Sequence, residues 1–117
     1  EEIDEFDEPI FPGGPTVTQV ALWKKEYGDD TKIYAVELLE EYFIFRTLNR
    51  FEYKQVIKLE NIDALQREEI FCKTCMLFPN EYDWKQMMVQ KAGLPSTLAT
   101  IIMEKSGFTK EYAIQVL

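Results

Sequence analysis

The chain has 117 residues, enough for one domain with a single modest core. Apolar residues make up 46% of it, so most of the chain is expected to fold, and no apolar run approaches the roughly 20 residues of a membrane span. The net charge is −8, with Glu1, Glu2, Asp4, Glu5, Asp7 and Glu8 crowded at one end; without a basic face, neither nucleic acid nor an anionic membrane surface is an expected partner.

There is no histidine, which removes the commonest general base and the commonest metal ligand. No signal peptide is visible. The sequence starts at Glu1 and stops inside an apparently helical run, so a longer natural chain is expected.

Residues 1–15 form an acidic arm in which Ile3, Phe6, Ile10 and Phe11 interleave with the acids, before a Pro12-Gly13-Gly14-Pro15 hinge. The arm reads as a flexible, disordered tail. The alternative is a segment that docks through Phe6 and Phe11 on a basic partner or on its own domain. The domain proper is expected over residues 16–117.

Residues 16–27 read as a first helix, capped by Thr16 or Thr18 and ended by Gly28. Val17, Val20, Ala21 and Tyr27 fall near one face, with Trp23 at its edge. Residues 32–38 and 42–47 are the strand candidates, rich in β-formers. The residues between them lack a glycine or asparagine turn, so a helix through 35–41 is the rival reading.

Asn49 and Glu52 have the spacing of a capping box, and Tyr53, Val56 and Ile57 give that helix an apolar side. Asn61 or Asp63 caps a central helix. In it Ala64, Phe71, Cys75 and Phe78 recur at spacings of seven, four and three, so they share one face. Pro79 ends the helix and Asn80 supports a turn.

Residues 84–90 predict a short helix, and Gly93-Leu94-Pro95-Ser96 a break. Ser96 then caps a helix to Lys105 with Leu94, Leu98, Ile101 and Ile102 stacked along it. Ser106-Gly107 stops it. Thr109 caps a last helix through Tyr112, Ala113 and Val116. The whole is a mainly α-helical α+β domain of five or six short helices with a small β-hairpin near residues 32–47.

Few side chains point to chemistry. Cys72 and Cys75 form a CxxC, but one pair without a histidine cannot complete tetrahedral zinc. A redox pair sits at a helix N-terminus, where the dipole lowers a thiol pKa. These two lie late in an apolar helix and read as buried thiols. Glu40-Glu41 and Glu68-Glu69 point about 100° apart on a helix, so neither is a catalytic pair by spacing.

Ser96 and Ser106 lack a base partner. Gly13-Gly14 lacks the Lys-Ser or Lys-Thr of a phosphate loop. Met76, Met87, Met88 and Met103 suit either core filling or an adaptable binding groove. No metal, no cofactor and no catalytic residue is expected.

Four pieces in series carry a resemblance. They are Leu22-Trp23-Lys24-Lys25-Glu26-Tyr27-Gly28, the stretch from Phe43-Ile44-Phe45-Arg46 to Asn49-Arg50-Phe51-Glu52-Tyr53-Lys54, Glu68-Glu69-Ile70-Phe71-Cys72-Lys73 leading to Leu77-Phe78-Pro79, and Ala92-Gly93-Leu94-Pro95-Ser96-Thr97-Leu98-Ala99 closing on Ser106-Gly107-Phe108. In this order, over residues 17–108, the chain resembles small tail-morphogenesis proteins of large tailed bacteriophages, the tail assembly chaperones and baseplate-hub-associated proteins. The resemblance does not extend to the acidic arm.

The resemblance implies a non-enzymatic protein that works by protein–protein contact in the host bacterial cytoplasm. As a chaperone it would cover the apolar segments of a tape-measure protein until tail-tube subunits polymerise. As a hub component it would remain in the virion tail. It leaves homo-oligomerisation open. Trp23, Gly28, Cys72, Cys75, Pro79, Gly93, Pro95 and Gly107 would shape the fold, and Arg46 and Arg50 would be the surface contacts, because arginine offers planar, multi-donor hydrogen bonds.

Two rivals come from other classes. One is a small acidic inhibitor that imitates nucleic acid and blocks a host enzyme, although the charge lies in the arm rather than in a helical stripe. The other is a redox enzyme built on Cys72 and Cys75.

Overall fold

The computed structural model describes residues 7–108 and 113–117. Phe6 and the acids before it, and Thr109 to Tyr112, lie outside the described residues. In chain order the elements are α1 (Val17–Tyr27), β1 (Ile33–Leu38), β2 (Glu41–Arg46), α2 (Arg50–Ile57), α3 (Ala64–Cys75), β3 (Met76–Phe78), α4 (Glu81–Gln90) and α5 (Leu94–Lys105). This is an α+β domain dominated by helix, with a three-stranded antiparallel sheet in the order β1-β2-β3.

Local chemistry starts the helices. The Thr16 hydroxyl accepts from the Gln19 amide at α1. Asn49 and Glu52 form a reciprocal capping box at α2, as do Asp63 and Gln66 at α3. Each satisfies amides that the first turn leaves without a helical partner. Gly28 closes α1 at φ 81°, a conformation that glycine takes cheaply.

The hairpin joins β1 to β2 in register from Ile33↔Arg46 to Leu38↔Glu41. Its two turn residues, Leu39 (φ 53°) and Glu40 (φ 65°), are both left-handed. That geometry matches strand twist but costs about 1 kcal/mol per non-glycine residue. Lys91 offsets part of the cost: its ammonium donates to the Leu39 carbonyl at 2.6 Å and lies 3.8 Å from Glu41. The helix that competed for residues 35–41 is not formed.

Three expectations are corrected. The central helix stops at Cys75 and does not run on to Phe78. Residues Met76–Phe78 instead become β3, pairing Phe45↔Met76 and Ile44↔Phe78. Phe78 precedes a proline, which disfavours α conformation, and the open side of β2 supplies the hydrogen bonds. Ser96 does not cap α5. The helix starts earlier, at Leu94, with Pro95 in the first turn, where its missing N–H costs nothing and its φ is preset. Of the last helix, Thr109 and Tyr112 fall outside the described residues, while Ala113 and Val116 sit in a segment without regular structure.

The core lies between one face of the sheet and the helices that follow it. Phe43 and Phe45 of β2, Phe71, Cys72 and Cys75 of α3, and Leu94, Leu98 and Ile102 of α5 are buried together. Trp84 from α4 meets Phe43 edge-on, ring centroids 6.0 Å apart. Tyr34, Val36 and Leu38 of β1 pack against the same cluster. No helix among the described residues is long and apolar enough to cross a membrane.

Candidate interaction surface

Arg46 leaves the end of β2 and ties four elements together. Its Nη1 donates to Glu52 Oε1 at 2.9 Å and its Nη2 to Glu52 Oε2 at 2.7 Å, a bidentate pair. Nη2 also donates to the Thr74 carbonyl at 2.9 Å, near the end of α3. The guanidinium carbon lies 4.9 Å from the centre of the Tyr27 ring at the end of α1.

Only 12% of the Arg46 side chain is exposed. Its expected role as a surface contact is therefore corrected: both terminal nitrogens donate inside the molecule, and Nε is buried without a partner among the described residues. These hydrogen bonds hold the Glu52 carboxyl below its usual range. Arg50, by contrast, is exposed, 5.4 Å over the Tyr53 ring, and remains free to meet a partner.

The second face of the sheet is covered by the start of the chain. From Asp7 on, the arm is seated on the domain rather than detached from it. Phe11 stacks on Tyr42 at 4.5 Å and meets Phe78 edge-on at 5.4 Å. The turn closes through the Gly14 amide to the Phe11 carbonyl and the Ile10 amide to the Pro15 carbonyl, both 2.9 Å. A Cβ on Gly14 would run into the Phe11 ring, so any other residue there must displace that ring from its seat.

The Thr18 amide donates to Asp7 at 2.9 Å and holds that carboxyl below its usual range. Trp23 is half-buried and shares a groove with Gln19, Leu77 and Phe78. Phe6, the other apolar contact expected in the arm, lies outside the described residues.

The thiols are interior. Cys72 and Cys75 are both 0% exposed, and the Cys72 thiol donates to the Pro95 carbonyl at 3.3 Å. Burial pushes both up to about 12. Thiolate is the reactive form, so neither group is poised for exchange at neutral pH. Pro79 and Pro95 are buried as shaping residues, and Gly107 takes φ 100° at the end of α5. The Ser106 hydroxyl accepts from the Leu48 amide at 2.8 Å, a tie across 58 positions that the sequence did not reveal.

The outward side carries two grooves along α3. One, of about 310 Å³, is lined by Ile62, Gln66, Glu69, Ile70 and Lys73. The other, of about 190 Å³, is lined by Lys73, Met76, Pro79, Glu81 and Trp84. Lys73 borders both, and its ammonium pairs with Glu81 at 3.2 Å. Leu65 (64% exposed) stands on the neighbouring turn of α3, and Phe51 (69%) projects from α2. The arrangement is an apolar floor with a charged rim, suited to a partner's apolar side chains.

No family model matches the chain, and no curated protein does. Among solved structures, that of an uncharacterised protein from Bacillus stearothermophilus is similar. Its TM-score is 0.61 at 19% identity, over 82% of this chain and 99% of that one. At that identity the similarity establishes a shared fold.

Proposed function

We propose that this chain is a non-enzymatic assembly protein of a bacteriophage tail, a chaperone that holds apolar segments of a tape-measure protein until the tube forms around them. The observation that carries the reading is the pair of grooves along α3. They offer Ile62, Ile70, Met76 and Trp84 as floor and Glu69, Lys73 and Glu81 as rim. The tail assignment itself rests on the resemblance of residues 17–108. A client with an apolar stripe gains by burying it there, while the −8 charge keeps the complex soluble.

Co-expression with the candidate tape-measure protein tests this reading. The wild-type chain is expected to co-purify with it. The double variant Ile62→Asp/Leu65→Asp is expected to lose at least tenfold in affinity while keeping the same circular dichroism spectrum. Equal recovery of client by folded wild type and variant would remove the α3 surface from the proposal.

A further inference from the structure

β1 is an open edge. The Thr47 amide donates to the Lys32 carbonyl at 2.9 Å, which fixes the phase of the ladder. In antiparallel pairing the backbone groups of Tyr34, Val36 and Leu38 then face β2, and those of Ile33, Ala35 and Glu37 face away. Among the described residues nothing hydrogen-bonds to these outward groups.

The usual protections of an edge are weak here. β1 is six residues long, contains no proline and no bulge against β2, and carries a single charge, Glu37. Beside the edge runs a groove of about 440 Å³ lined by Ile10, Phe11, Ala35, Val36 and Tyr42 among others.

The same chain holds an unpaired apolar segment. Residues 113–117 read Ala-Ile-Gln-Val-Leu and have no regular structure. Ile114 is 79% exposed, Val116 93% and Leu117 fully exposed. Isoleucine and valine favour the pleated conformation, and the period of two puts Ile114 and Val116 on one face. The segment carries no charged side chain, so laying its side chains beside Glu37 sets no like-charged pair together. At about 3.3 Å per residue it spans most of the β1 edge.

We propose that residues 113–117 of one copy add as a fourth strand to the β1 edge of a second copy, with alternate side chains entering the groove beside Ala35 and Tyr42. Backbone hydrogen bonds to Ile33, Ala35 and Glu37 supply affinity, and the groove selects the apolar side chains. The occupant is a second copy because each copy exposes both halves of the pairing. The inference stands apart from the tail reading and survives its failure.

Sedimentation velocity on the full chain over a hundredfold concentration range tests it. The wild-type chain is expected to self-associate as concentration rises. Ile114→Asp/Val116→Asp removes the donor strand, outside the packed core. Ala35→Pro removes an outward amide and blocks the acceptor edge. Each variant alone is expected to stay monomeric, and an equimolar mixture of the two to form a dimer, because one retains the donor and the other the edge. A wild-type chain that stays monomeric throughout would overturn the proposal and leave the edge to a strand of a different protein. So would a donor variant that associates as the wild type does, or a mixture of the two folded variants that stays monomeric.

Discussion

Phe43→Ala is expected to lower the unfolding free energy by about 3–5 kcal/mol. Phe43 lies at the middle of the central strand, is 0% exposed, and meets Trp84 edge-on. Removing its ring opens a cavity between the sheet and α4 that neighbours on α3 and α5 cannot fill without moving the sheet. Total stability in a domain of this size is about 5–15 kcal/mol, so one substitution consumes a large part of it. Urea unfolding would show the midpoint falling with little change in slope. Phe51→Ala is the control: Phe51 is 69% exposed, and its loss should stay within about 0.5 kcal/mol. If the two variants cost the same, β2 is not the centre of the core.

The second large effect is at Arg46. Arg46→Ala is expected to cost about 2–3 kcal/mol, below the full value for a buried pair because Glu52 stays 22% exposed. The loss has four parts: the bidentate pair with Glu52, the bonds to the Thr74 and Thr47 carbonyls and the contact over Tyr27. Arg46→Lys should not rescue it, since an ammonium cannot span both carboxylate oxygens and the carbonyl in one plane.

The pH dependence follows from the lowered Glu52 pKa. A carboxyl depressed on folding contributes stability above its unfolded value, near 4.5, and loses it as pH falls through the folded value. Thermal unfolding of the wild type should therefore weaken below that region. Arg46→Ala should show a flatter acid limb, because the largest cause of the Glu52 depression has gone and only the Asn49 amide still lowers it. Parallel acid limbs in the two proteins would contradict the assignment of the pair.

Features set by neighbours in sequence were legible. Asn49 with Glu52 and Gly28 after α1 act within four residues, so spacing alone exposes them. The caps of α1 and α3 were legible to within two candidates each, Thr16 or Thr18 and Asn61 or Asp63, of which Thr16 and Asp63 do the capping. The burial of Cys72 and Cys75 followed from their place in an apolar helical run.

Features set by distant partners were not legible. Met76–Phe78 is a strand only because β2 offers an unpaired side, and three residues carry no period of their own. Leu39 and Glu40 carry none of the usual signals for a two-residue turn, and the lysine that steadies it comes from position 91. Arg46 reads as a surface arginine until the end of α3 brings the Thr74 carbonyl to it. The sequence leaves a disordered arm and one docked on its own domain both open, because the choice depends on Phe11 finding Tyr42 and Phe78.

The central claim is that the chain handles other tail proteins during assembly and does not stay with them. Quantitative mass spectrometry of infected-cell lysate against purified mature virions tests it most directly. The account predicts the chain in the lysate, bound to the tape-measure protein, and absent from the particle. A fixed, small copy number in every virion would make it a hub or tail-tip component instead, and a lysate in which it associates with no tail protein would contradict the account altogether.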